Sequence, residues 1–162
     1  MQPPRAALPA LLGWLLLTYA FAALGAIASA RAAQFYPQLS RPDWAPPGWL
    51  FAPVWSVLYL LMALAAWRIG RTGIRRAAPA LCLYLAQLAL NSLWTCLFFA
   101  WHLGALSFAC IVALWLMIAA TCAVFARRDR VAGMLLWPYL AWVSFAGALC
   151  FSVWQRNPAL WT

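Results

Sequence analysis

Five stretches of this chain stay apolar for about 20 residues or more, the length an α-helix needs to cross a bilayer. They lie at about 8–30, 48–69, 79–101, 104–126 and 131–154, and this length rule is what most restricts the fold. The apolar residues are continuous, whereas a membrane β-barrel alternates them with polar ones. A helix satisfies its own backbone N–H and C=O groups, as hydrocarbon demands. The expected fold is therefore an all-α integral membrane protein. Residues 1–162 form a single bundle of five transmembrane helices with the lipid bilayer as its partner. The composition agrees, because 68% of residues are hydrophobic and 8% charged. Soluble domains average about half and a quarter.

The net charge of +9 comes from arginines set in the gaps between apolar runs. That distribution flanks membrane spans and builds no basic groove, so nucleic acid is not an expected partner. With five crossings, the N-terminus, second loop and fourth loop share one side. That side holds Arg5, Arg68, Arg71, Arg75, Arg76, Arg127, Arg128 and Arg130, against Arg31, Arg41 and Arg156 on the other. The positive-inside rule places the richer side in the cytoplasm, with the first loop and the C-terminus outward. Residues 1–30, ending in "ASA" before Arg31, also imitate a secretory signal. The length of the apolar run favours an uncleaved first helix.

Cys82, Cys96, Cys110, Cys122 and Cys150 form no C-x-x-C pair and read as free thiols packed like small hydrophobes. His102 is the only histidine and sits in the short third loop, which the linear order places far from any candidate site. A metal site needs several ligands, so no metal and no required cofactor are expected. Asp43 and Asp129 are the only acids and fall on opposite membrane faces. Hydrolysis, which needs converging acid and base groups, is disfavoured.

The first loop ends in "RPDWAPPGWLFAPVW", residues 41–55. Pro46 and Pro47 suit a helix start, where a missing N–H costs nothing. Pro53 is expected inside the second span, kinking it. Trp44 and Trp49 suit the water–lipid boundary. Arg41 and Asp43 are close enough in sequence to pair, and Arg41 is also the nearest cation for a ligand carboxylate. Further in, Phe51, Trp55 and Tyr59 are spaced i, i+4, i+8 on one helix face. The third span carries Gln87, Asn91, Trp94 and Phe98, and amides at bilayer depth must point into the bundle. The fifth carries Pro138, Trp142, Ala146 and Leu149, with a kink expected at Pro138. These faces border a cavity for a flat apolar molecule, with the first loop as its lid. Ser92, Cys96 and Ala100 form a small-residue face on the third span, fit for a dimer or for another helix of the same chain.

The segments "RPDWAPPGWLFAPVWSVLY", "YLAQLALNSLWTCLFF" and "WPYLAWVSFAG" resemble the TspO/MBR family. This family includes the translocator proteins, tryptophan-rich sensory proteins and peripheral-type benzodiazepine receptors. The resemblance extends over nearly the whole chain and implies a bacterial membrane protein. It implies a homodimeric five-helix bundle that binds porphyrins such as protoporphyrin IX, benzodiazepine-site ligands and, in animal members, cholesterol. Matched to the family's ligand site are Tyr36, Pro46, Pro47, Trp49, Trp55, Asn91, Trp94, Trp142, Ala146 and Leu149. In some bacterial members a pair of tryptophans matching Trp55 and Trp142 is implicated in light- and oxygen-dependent porphyrin breakdown, which would make these two catalytic. Two departures stand out. Phe35–Tyr36 replaces a common Trp-Tyr pair, and Phe151 in "ALCFSVWQR" replaces the tyrosine of the sterol pattern. The second weakens a sterol partner. The favoured function is a porphyrin-binding sensor that regulates tetrapyrrole handling, with a porphyrin-degrading enzyme or a transporter as alternatives. Transport is weakest, since no buried charge and no inverted repeat marks a path.

Overall fold

The computed structural model describes residues 4–161, with side chains from Leu8 onward, so the side chain of Arg5 lies outside the described residues. Among the described residues seven α-helices follow one another: α1 (Pro4–Ala28), α2 (Ala32–Phe35), α3 (Phe51–Gly70), α4 (Ile74–Thr95), α5 (Gly104–Arg128), α6 (Arg130–Leu135) and α7 (Trp137–Arg156). They make five spans, Leu8–Ala28, Gly48–Gly70, Ile74–Ala100, Gly104–Arg128 and Arg130–Arg156. α5 packs between α4 and α7, while α1 lies against α3 and α4. α1 is the least enclosed span. Leu8, Leu12, Leu16, Leu24 and Ile27 are all more than half exposed, as a lipid-facing surface should be. Small residues bring the inner helices close together, with Ala63, Ala65, Ala66, Ala77 and Ala80 fully buried on α3 and α4.

The prolines behave differently from one another. Pro138 does break the fifth span as expected. Without an N–H it leaves the chain to turn at Leu136, whose own N–H reaches back three residues to Gly133 O at 3.1 Å. α7 resumes with Leu140 N–H to Leu136 O at 3.0 Å. The interior kink expected at Pro53 is not there. The second span enters through a 3-10 turn at Gly48–Leu50, so Pro53 is the third residue of α3. A first-turn N–H has no intrahelical partner to lose, and α3 runs unbroken to Gly70. The third span starts at Ile74 rather than near residue 79, taking Arg75 and Arg76 into its first turn.

The two ends of the bundle alternate as five crossings require. At one end Arg68 Nε donates to Asp129 Oδ2 at 2.9 Å, and Arg128 Nη1 donates to Arg76 O at 2.7 Å. These contacts join the second and fourth loops. At the other end Ser40 N–H meets Asn157 Oδ1 at 2.8 Å, and the Phe35 and His102 rings stack at 4.2 Å. The first loop, third loop and chain end therefore meet, and His102 is nearer the candidate site than its sequence position suggests. The third loop closes a tight hairpin through a π-helical turn, Cys96–Ala100, with Trp101 N–H on Cys96 O at 2.9 Å. The small-residue face of the third span packs on α1. Ser92 Oγ donates to Phe21 O at 3.3 Å, and Gly25 faces Thr95.

Candidate functional site

The first loop folds over the N-terminal end of α3, at Phe51, and against α7, at Phe145. Tyr36 is buried, and its hydroxyl donates to Pro46 O at 2.9 Å, closing the loop on itself. Arg41 does not pair with Asp43. Its guanidinium lies over the Tyr36 ring at 4.6 Å, a cation–π placement. Among the described residues the ion pair is Arg68–Asp129 instead. Around Arg41 the loop forms a shallow recess of about 440 Å³ lined by Leu39, Pro42, Asp43, Ala45 and Pro47.

Beneath the loop the aromatic rings meet in sequence. Tyr36 stands edge-on to Phe51 at 5.5 Å, and Phe51 to Trp142 at 5.9 Å. Trp142 leans on Phe145 at 5.5 Å, which in turn meets Trp44 of the loop at 5.7 Å. One turn deeper, Trp55 touches Tyr59 at 5.5 Å and Tyr139 at 6.0 Å. Asn91 joins this group by donating from Nδ2 to the Tyr59 hydroxyl at 2.9 Å. Trp94 stacks on Phe98 at 5.5 Å, and Ala146 and Leu149 are buried on α7. The structure thus brings together Tyr36, Trp55, Asn91 and Trp142, with Arg41 and Pro46 in the loop above. Trp49 stands apart, 72% exposed on the 3-10 turn, in the position of a membrane-boundary residue.

Buried polar atoms without partners lie in this site and one helical turn beyond it. Gln87 is fully buried, and neither its Nε2 nor its Oε1 is hydrogen-bonded. Asn91 Oδ1, the Tyr139 hydroxyl and Trp142 Nε1 are likewise unpaired. Trp94 Nε1 has only the soft sulfur of Cys150 in reach. A buried polar group without a partner costs about 1–3 kcal/mol, and native interiors rarely tolerate several together. Elsewhere in the bundle buried polar groups do find partners. The Thr18 and Tyr84 hydroxyls, for example, satisfy each other at 2.7 Å.

The sequence puts Gln87 on a face that borders the expected cavity, but neither Gln87 nor Tyr139 is among the ligand-contacting residues matched above. The available signal was the spacing Tyr139, Trp142, Ala146, which is i, i+3, i+7. No cluster of three or more metal-ligating side chains occurs among the described residues.

Comparison with known proteins adds the last observation. The TspO/MBR family model matches residues 14–155. The protein CrtK of Rhodobacter capsulatus is 43% identical over 138 residues, covering 84% of this chain and 85% of that protein. The tryptophan-rich sensory protein of Cereibacter sphaeroides is 39% identical over 148 residues, 89% of this chain and 92% of its own. The translocator protein of Bos taurus is 37% identical over 127 residues, 76% of this chain and 75% of its own.

Proposed function

The chain belongs to the TspO/MBR family, and we propose that it is a membrane receptor for a porphyrin-type tetrapyrrole, bound under the first loop to regulate tetrapyrrole handling. The observation that carries this reading is the set of unpaired polar atoms on aromatic walls. Trp142 Nε1, the Tyr139 hydroxyl and Gln87 Nε2 offer donors, and Gln87 Oε1 and Asn91 Oδ1 offer acceptors. A flat macrocycle stacks on the rings, takes N–H···π and O–H···π contacts from the donors on its electron-rich face, and turns its polarised C–H edge to the acceptors. An aliphatic ligand would leave these groups unpaired. The rings now fill the site edge to face, so binding a macrocycle requires the loop and Trp142 to move apart.

Arg41 supplies the charge at the rim, where a propionate would emerge. Protoporphyrin IX and its dimethyl ester test the reading directly by titration. Both should bind the unsubstituted protein. Arg41→Gln should weaken protoporphyrin by about two- to fivefold, the size of an exposed ion pair, and leave the ester unchanged. Failure of the unsubstituted protein to bind either compound would remove the tetrapyrrole reading.

A further inference from the structure

A single side chain joins the end of α7 to the first loop. Asn157 is 6% exposed and makes hydrogen bonds in two directions. Its Oδ1 accepts from Ser40 N–H at 2.8 Å, and its Nδ2 donates to Ser40 O at 3.1 Å and to Val153 O at 2.8 Å. The carboxamide thereby satisfies both main-chain groups of Ser40, as a neighbouring β-strand would. Ser40 sits between buried Leu39 and Arg41, the residue that covers Tyr36. Four residues past Asn157, Trp161 fills the space between Phe35, at 5.9 Å, and Phe98, at 5.2 Å. A Cβ added at Gly104 would collide with Trp154 and Trp161, so the third loop is shaped to receive this segment.

We infer that Asn157 is a positioning residue for the site, a clasp whose release governs how fast a ligand passes under the first loop. Opening the loop separates Ser40 from α7, breaks both hydrogen bonds to its main chain and leaves the buried Asn157 carboxamide short of partners. Asparagine is suited to this, since it is both donor and acceptor on one rigid plane. Aspartate keeps the acceptor, loses both donations and sets a charge against two carbonyls. The effect on ligand passage rests on the tetrapyrrole reading above, whereas the fastening of Ser40 does not.

Two measurements separate these parts. In the absence of ligand, hydrogen exchange should show Ser40 N–H protected in the unsubstituted protein. Exchange there should be about tenfold faster in Asn157→Ala and faster by a smaller factor in Asn157→Asp, with the amides of α4 and α5 unchanged. Protoporphyrin IX should then associate and dissociate about five- to tenfold faster in both variants, with its equilibrium constant shifted less than about threefold. Unchanged exchange at Ser40 would overturn the clasp. Faster exchange with unchanged binding rates would overturn its control of access. If Asn157→Ala loses protection throughout the bundle, the near-isosteric Asn157→Asp decides by the same criteria. If the unsubstituted protein binds no protoporphyrin, the ligand reading fails and the exchange result alone judges the clasp.

Discussion

Trp142 is the residue at which binding and chemistry are best told apart. Its ring meets Phe51 and Phe145, and its Nε1 is buried without a partner. Phenylalanine keeps most of the ring contact and loses the indole's N–H and its ease of oxidation. If the site degrades porphyrin under light and oxygen, Trp142→Phe should cut the illuminated loss of protoporphyrin absorbance by about tenfold or more, on the order of 1.4 kcal/mol of barrier. Binding in the dark should weaken by less than about fivefold, the cost of one uncharged hydrogen bond. An equal rate of loss in both proteins would leave Trp142 as a wall of the site with no chemical part. The sequence made Trp55, Asn91 and Trp142 legible because amides and aromatics at helical spacing must face inward in lipid. Tyr139 and the unpaired Gln87 were harder to see. The facing of α7 is set only after the chain turns at Leu136, and a lack of partners is a property of three helices together.

At the scale of the element, the five spans were legible because hydrocarbon tolerates no interruption of apolar character. Their ends were not. Arg75 and Arg76 look like loop residues yet begin α4, with their long stems able to reach polar surroundings from a helix. Pro53 looked interior because the 3-10 turn before α3 leaves no mark in the sequence. The start of α6 shows what does fix an end. Asp129 caps it, accepting from Val131 N–H at 2.9 Å and Ala132 N–H at 3.1 Å while paired with Arg68. Partial burial raises the pKa of this carboxyl, but the Ala132 N–H, the Arg68 guanidinium and the Val131 N–H outweigh it, so the pKa lies below its ordinary value. A depressed carboxyl stabilises the fold at pH values above its unfolded pKa, about 4, and that contribution fades as pH falls through the folded value. Asp129→Ala should therefore cost about 1 kcal/mol at pH 7, the usual worth of an N-cap. The gap in melting temperature between the two proteins in detergent should close as pH drops below about 4. A gap as wide at the lowest pH the fold tolerates as at pH 7 would mean the carboxylate is not what holds this end.

For the whole molecule, the remaining question is which way the bundle faces. Contacts between the second and fourth loops gather Arg68, Arg71, Arg75, Arg76, Arg127, Arg128 and Arg130 at one end. Arg31, Arg41 and Arg156 lie at the other, with the first loop and the aromatic site. Positive loops resist translocation, so the arginine-rich end should stay in the cytoplasm and the site should open outward. Single cysteines test this in a background where Cys82, Cys96, Cys110, Cys122 and Cys150 are replaced. Thr72 and Ala33 suit the two ends, since both are exposed and neither lies in the aromatic site. In right-side-out vesicles a membrane-impermeant maleimide should modify Ala33→Cys and spare Thr72→Cys until detergent is added. In inverted vesicles the pattern should exchange. The orientation also decides where ligand arrives: protoporphyrin added outside right-side-out vesicles should quench tryptophan emission at once, without first crossing the bilayer. Labelling of Thr72→Cys from outside would reverse the topology and make the first loop a cytoplasmic lid. Labelling of both residues from one side would mean that the second span, Gly48–Gly70, which is the apolar helix between them, does not cross.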